Sequence, residues 1–328
     1  MKYFVTGATG YIGAHIVKQL SEQGHTVHAL VRNPKKAKGI LFPNVILFEG
    51  DIINIESMRA AMKGCDYVFH LAAFTKVWTP DPKTYFDLNV NATVALLQLA
   101  KEHVIKRCVI TSTAGVYGAS STGIITETSS RDFDFFNEYE SSKALAESKI
   151  KDFVIDGLDA VIVSPTRVYG PYVFGEPEAV TMLIKKYVVG NWRFLPGDGS
   201  EEGNYVYVDD VVQGHLLAME KGKRGHTYIL GGTNHSYKEF FSVMSVASNT
   251  KRTLIPLPIS LQQAFAVIQL VKTWFGGEPL LTPKWVAKGK YNWRVSPQKA
   301  IDELGLTITP LETGMKKTVE WLHKAQIK

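Results

Sequence analysis

Thr6-Gly7-Ala8-Thr9-Gly10-Tyr11-Ile12-Gly13, set between the apolar run Tyr3-Phe4-Val5 and a helical pattern carrying Ile16, Val17 and Leu20, is the stretch from which the fold is read. Strand, glycine turn and helix follow in order. A pyrophosphate needs backbone amides at a helix N-terminus and close approach of the main chain, which side chains at Gly7 and Gly10 would block. Gly13 lets the helix pack tightly on the sheet. In this βαβ setting the turn, with Thr9, Tyr11 and Ile12 inside it, is expected to bind a dinucleotide. Its spacing is GxxGxxG rather than GxGxxG.

Working outward, short β-rich runs alternate with helical ones. Strands are expected at Tyr3–Thr6, Thr26–Val31, Val45–Phe48, Tyr67–Leu71, Arg107–Thr111 and Ala160–Pro165. Helices are expected at Tyr11–Gln23, Ile55–Lys63, Thr84–His103 and Asn137–Asp156. That alternation predicts an α/β fold, a Rossmann-type doubly wound parallel sheet. After Ser164 the pattern loosens into Gly/Pro-punctuated segments, so residues 1–164 are assigned to the dinucleotide-binding domain and 165–328 mainly to a smaller substrate-binding lobe. The lobes are expected to interleave, with the chain returning to the sheet within 204–232, at Asn204–Val208 and Thr227–Leu230.

Composition excludes other classes. With 328 residues, 45% hydrophobic and 21% charged, the chain is neither disordered nor fibrous. Its formal charge of +6 comes from scattered basic residues without an aromatic-basic recognition motif, so nucleic acid is not expected. Cys65 and Cys108 lie in apolar stretches without metal-ligand spacing, which predicts no metal site and suits a reducing compartment. The N-terminus enters a strand at once, and the chain reads as cytoplasmic. Ile259–Phe275, interrupted by Gln262, Gln263, Gln269 and Lys272, is too short and polar for a membrane span. It is expected to be an amphipathic helix covering a pocket, with an interfacial membrane helix as the alternative.

At the end of the second expected strand, where a carboxylate would take the ribose hydroxyls of NAD, stand Arg32, Lys35 and Lys36. Cations there neutralise a 2′-phosphate, so NADP is favoured and NAD is the alternative. Asp51, after the third strand, is placed for the adenine amino group. Tyr139 and Lys143, four residues apart on one helix face, pair a phenol with an ammonium that favours its phenolate. Thr111, Ser112 and Thr113 put hydroxyls at the carboxyl end of a parallel strand, where one of them can polarise a carbonyl.

With these motifs the chain resembles an extended short-chain dehydrogenase/reductase of the NAD-dependent epimerase/dehydratase superfamily. The matching pieces are TGATGYIG (Thr6–Gly13), GDI (Gly50–Ile52), HLAA (His70–Ala73), NVNAT (Asn89–Thr93), YESSK (Tyr139–Lys143), SPTRVYGP (Ser164–Pro171) and YVDDV (Tyr207–Val211). LVRNP, VWTPDP (Val77–Pro82), TSTAG and YILGG make it similar to the branch of dihydroflavonol-reductase-like proteins and hopanoid-associated sugar epimerases. The resemblance implies that Tyr139 is the catalytic acid/base, that Lys143 holds the nicotinamide ribose, and that Thr113 is the third member. It also implies that Ile52, Leu71, Ala72, Ala73 and Thr111 lie along the cofactor, that Pro165, Thr166 and Val168 flank the nicotinamide, that Asn89 supports the site, and that the protein is a homodimer.

The implied substrate is a small-molecule carbonyl or a sugar. Trp78, Tyr169, Tyr172, Phe174, Phe265, Trp274 and Phe275 are expected to line an apolar cavity, which favours a hydrophobic carbonyl compound, with Trp78, Thr113, Tyr169 and Phe174 in contact with it. The expected reaction is hydride transfer from NAD(P)H to a carbonyl. A nucleotide-sugar epimerase or dehydratase is the enzyme alternative, and a non-catalytic NADP-sensing protein the alternative of another class.

Overall fold

The computed structural model describes residues 1–119, 123–175 and 178–326. The first half of the chain runs β1 (Lys2–Thr6), α1 (Tyr11–Glu22), β2 (Thr26–Val31), β3 (Val45–Glu49), α2 (Ile55–Met62), β4 (Tyr67–His70), α3 (Lys83–Phe86), α4 (Ala92–Glu102), β5 (Arg107–Thr111), α5 (Glu138–Ile155) and β6 (Ala160–Pro165). It continues with β7 (Arg167–Tyr169), α6 (Ala179–Val188), β8 (Phe194–Pro196), β9 (Glu202–Tyr207), α7 (Val208–Lys221), β10 (Thr227–Leu230), β11 (Thr233–Ser236) and α8 (Tyr237–Ala247). The last elements are β12 (Ile255–Leu257), α9 (Ile259–Val271), α10 (Pro283–Lys288), α11 (Gln298–Leu304) and α12 (Leu311–Gln326).

Seven strands form one sheet in the order β10-β6-β5-β4-β1-β2-β3, every neighbouring pair parallel. Side chains alternate between its faces. Tyr3, Val5, Phe69, Val109, Val161 and Val163 enter a core shared with α1, α7 and α11, while Phe4, Val68, Cys108, Ile110 and Ile162 enter one shared with α2, α4 and α5. Burial on both faces is why these strands read as near-continuous apolar runs. Strand order reverses between β1 and β4, and in open α/β sheets ligands bind at the carboxyl ends beside such a switch point.

The expected helix over Thr84–His103 is one helical run broken by a π-turn at Asp87–Asn91. β10 rejoins the sheet beside β6, as expected for Thr227–Leu230. Asn204–Val208 does not: β9 pairs with β7 and β11 in a separate three-stranded sheet, and Val208 already begins α7. That sheet packs with α6, α8 and α12 around Tyr169, Tyr187, Phe240 and Met315 as the core of the second lobe. Both cysteines are buried free thiols, and burial pushes Cys65 up to about 12. Among the described residues no helix is long and apolar enough to cross a membrane.

Candidate active site

The β1–α1 turn fits a dinucleotide. Gly7 sits at φ +68°, and a Cβ there would lie 2.6 Å from the Ala72 nitrogen, while one on Gly13 would lie 2.1 Å from the Gly7 carbonyl oxygen. Only glycine permits this approach of α1, β1 and the chain leaving β4. Gly10, the N-cap of α1, makes no side-chain capping bond, so the helix presents its first amides and the positive end of its dipole to a ligand. Leu71 and Ala72 follow along the turn, their amides donating to the Thr6 carbonyl at 3.2 Å and the Thr6 hydroxyl at 3.3 Å.

At the end of β2, Arg32, Lys35 and Lys36 are exposed. Asp51 is half-buried, with one oxygen accepting the Ile53 amide at 3.3 Å, and Ile52 is buried behind it. A long loop returns here from the second lobe. The Phe174 ring lies on Gly39, and a Cβ on Gly175 would meet the Thr9 carbonyl oxygen at 2.6 Å. Phe174, expected to contact substrate, is therefore committed to covering the loop after β2.

A second cluster forms where β5 ends beside α5. Asn137 caps α5 by accepting the Glu140 amide at 3.0 Å, which fixes the turn carrying Tyr139. Thr113 places its hydroxyl close to that of Tyr139, which lowers the phenol's pKa, and the same oxygen accepts the Gly115 amide at 3.1 Å. Ser112 faces elsewhere, toward the buried Glu147 carboxyl. Lys143 donates to the Thr111 carbonyl at 2.8 Å, and burial brings its pKa down to about 8, an effect the Glu147 carboxylate partly offsets.

The expectation that Lys143 lowers the Tyr139 pKa is not met here. Burial, reinforced by Glu178 and Glu140, holds the phenol well above its ordinary 10.0, opposed by the nearby Thr113 hydroxyl. The reason is local: the ammonium is directed to a carbonyl, and partial burial penalises the phenolate.

Two buried histidines organise this cluster. His215 on α7 has Nδ1 2.7 Å from the Val211 carbonyl, which can only accept, so Nδ1 carries the proton and Nε2 accepts from the Thr111 hydroxyl at 2.9 Å. That hydroxyl, expected along the cofactor, is thus turned to His215, while the same residue's carbonyl anchors Lys143. His70 lies 2.7 Å from the Thr6 hydroxyl and 3.0 Å from that of Thr93, which in turn donates to the Asn89 carbonyl at 2.8 Å. The Asn89 amide then donates to Ser142 Oγ at 3.0 Å, and that hydroxyl donates to the Tyr139 carbonyl at 2.8 Å. One hydrogen-bonded chain therefore runs from the glycine turn to the Tyr139 helix. The π-turn is what lets Asn89 face it.

Glu140, fully buried next to Tyr139, accepts from Arg131 at 2.8 Å and from the Phe136 amide at 3.1 Å, and pairs with Lys288 of α10 at 2.6 Å. This ties the second lobe to the Tyr139 turn. Phe133, Phe136, Tyr291 and Trp293 stack beside it, packed with Ala114 and Tyr117. None of these four aromatics was singled out from the sequence, because their segments meet only in the fold.

The expected substrate aromatics are mostly elsewhere. Tyr169 is fully buried in the core of the second lobe, its hydroxyl donating to the Leu311 carbonyl at 3.4 Å. Phe265, Trp274 and Phe275 point into solvent. Trp78 is half-buried on the loop after β4. Of the segment expected at the nicotinamide, Pro165 and Val168 are buried, and the Thr166 hydroxyl is spent on Asn204 at 2.8 Å. Arg167 lies between Tyr205 and Tyr237, 5.5 Å from each ring centroid.

Residues 3–231 match the family described as NAD dependent epimerase/dehydratase. The chain is 30% identical over 335 residues to sterol demethylase protein B of Methylococcus capsulatus, covering 99% of both chains. It is 32% identical over 338 residues to cinnamoyl-CoA reductase 1 of Petunia hybrida, covering 98% of this chain and 91% of that one. The UDP-glucose 4-epimerase of Thermotoga maritima, solved with UDP-glucose, superposes with a TM-score of 0.82 at 26% identity, over 99% of this chain and 100% of that one.

Proposed function

The chain belongs to the NAD-dependent epimerase/dehydratase family, in the branch shared with dihydroflavonol and cinnamoyl-CoA reductases, and we propose that it uses NADPH to reduce a hydrophobic aldehyde or ketone. It is an NAD(P)-dependent oxidoreductase of the extended short-chain dehydrogenase/reductase type. The observation that carries the proposal is the approach of the Thr113 and Tyr139 hydroxyls, with Lys143 anchored on Thr111 and all three at the sheet edge that holds the glycine turn.

A bound nicotinamide dinucleotide supplies the hydride. In the proposed reaction Thr113 and Tyr139 donate hydrogen bonds to the carbonyl oxygen, and Tyr139 then gives up its proton as negative charge develops there. The raised phenol pKa suits this direction, since the residue starts as the acid. Lys143, one helical turn on from Tyr139, is held with its ammonium on the Thr111 carbonyl, and His215 holds the Thr111 segment on which Lys143 rests.

Arg32 and Lys36 are assigned to a 2′-phosphate, which favours NADP over the coarser NAD(P), and Asp51 to the adenine. A hydrophobic substrate is supported by the four aromatics beside Ala114 and by relatives named for a sterol and for cinnamoyl-CoA. The flanking cations Arg131 and Lys288 are already paired with Glu140, and Arg167 is held between two tyrosines, which leaves them poorly disposed for a nucleotide diphosphate. The epimerase reading draws on the likeness to the UDP-glucose enzyme. A homodimer through α4 and α5 is proposed, α5 exposing Leu145 and Ile155, as is a reducing, cytoplasmic setting for the two free thiols.

Titration calorimetry of cofactor-stripped protein with NADPH and NADH tests the cofactor assignment. NADPH is expected to bind at least about tenfold tighter, a preference lost in Arg32→Ala, because a charge-assisted contact contributes about 1.5–3 kcal/mol. Purified protein that retains NAD and prefers NADH would move the assignment to the epimerase reading.

A further inference from the structure

The segment from α9 to Leu280 buries little of its apolar surface. On α9 itself only Ala266 and Gln269 are buried, while Leu261, Phe265, Ile268 and Val271 face solvent. The helix ends in a 3₁₀ turn, Lys272–Phe275, where Trp274 is 82% exposed and Phe275 85% exposed. Gly276 follows in the left-handed conformation at φ +75°, turning the chain back so that the two rings stand at a convex tip. The segment is nevertheless fixed to the fold. Gln263 donates to the Pro283 carbonyl at 3.2 Å, and α9 is followed by α10, whose Val286 is buried.

Charge accompanies this apolar surface. Between Lys251 and Lys290 the sequence holds six lysines and arginines and one carboxylate, Glu278, which is itself paired with Lys76 at 2.6 Å. Lys272 stands in the turn itself, and Lys251 and Lys290, which flank the segment in the sequence, are exposed as well. An apolar knob with paired aromatics and a basic surround matches the interface of an anionic bilayer, where rings sit at headgroup depth and each nearby lysine adds attraction. A folded protein partner would need a rigid concavity to receive two protruding rings, whereas fluid lipid accommodates a convex tip.

The knob is also tied to the candidate site. Lys284 pairs with Glu138 and Lys288 with Glu140, the residues on either side of Tyr139, while Glu278 holds the loop that carries Trp78. We propose that the α9 segment seats the protein on an anionic membrane surface, so that a lipid-soluble carbonyl compound reaches Tyr139 from the bilayer. The second half rests on the carbonyl-reductase reading. The first does not.

Sedimentation of the full chain with phosphatidylcholine vesicles, with and without phosphatidylglycerol, tests the proposal in wild type and in Trp274→Glu/Phe275→Glu. Both positions are solvent-facing, so the fold does not depend on them, and NADPH binding monitors integrity. The expected result is binding to anionic vesicles, weaker binding to neutral ones, and at least a tenfold lower partition coefficient in the variant with NADPH affinity unchanged. Wild type left in the supernatant with both vesicle types, or equal binding of the variant, overturns it. So does analytical ultracentrifugation showing a wild-type oligomer that the variant abolishes without any vesicle binding, which would make the knob a contact between copies. Vesicle binding in a protein that reduces no carbonyl would refute the catalytic reading and leave the membrane seat standing.

Discussion

Replacing Gly13 by alanine tests whether the close approach of α1 to the β1–α1 turn creates the cofactor site. The added Cβ would lie 2.1 Å from the Gly7 carbonyl oxygen and 3.2 Å from the Ala8 Cα, so about 1 Å of movement is needed to restore an ordinary contact. Both obstacles are backbone, and no rotamer relieves them. Overpacking of this kind costs about 1–3 kcal/mol, and a displacement near 1 Å at a positioning element costs about 10²-fold in function. We therefore expect a variant that folds, melts a few degrees lower, and binds NADPH at least about tenfold more weakly by calorimetry. Gly24→Ala is the control: its φ of +77° imposes about 1–2 kcal/mol of strain, but its Cβ meets nothing within 4 Å. It should lose similar stability and keep its affinity. Gly13→Ala binding NADPH as tightly as Gly24→Ala would refute the reasoning.

Thr113→Ser should retain most turnover and Thr113→Val lose about 10²–10³-fold, with Ser112→Ala nearly silent, as steady-state kinetics on a reducible aldehyde will show. The reverse order would transfer the role to Ser112. Because Lys143 titrates near 8, turnover should fall as pH rises through that value, and Lys143→Arg, whose charge persists, should remove that alkaline limb from the activity that remains. His215, held down at about 4 by burial, is neutral in the folded chain but takes up a proton below 6.5 once unfolded. Stability should therefore fall as pH drops from 6.5 toward 4, by about 3 kcal/mol from this group at 1.36 kcal/mol per pH unit. Denaturant titrations of His215→Gln should show a correspondingly flatter decline, and an unchanged slope would contradict the assignment.

What the sequence made legible was local. The strand, turn and helix around Gly7–Gly13 are contiguous, and Tyr139 and Lys143 share a face because helical geometry alone puts them there. What it hid depends on contacts between distant segments. Glu140 sits within the YESSK motif, yet its partners Arg131 and Lys288 meet it only in the fold, as do His70, Thr93 and Asn89 behind the Tyr139 helix. Tyr169 reads equally well as pocket or core until α12 is seen to cover it. Asn204–Val208 has the composition of a strand, but composition does not say that its neighbours are β7 and β11. The apolar run at Ile259–Phe275 announces burial and is silent about what covers it, and the structure leaves it exposed.

The most direct test of the account is the rate of NADPH oxidation by a hydrophobic aldehyde, measured in single turnover on wild type and Tyr139→Phe with NADPH affinity checked in both. Proton donation by Tyr139 predicts equal affinities and a rate about 10²–10⁴-fold lower in the variant. Equal rates in the two proteins would contradict it.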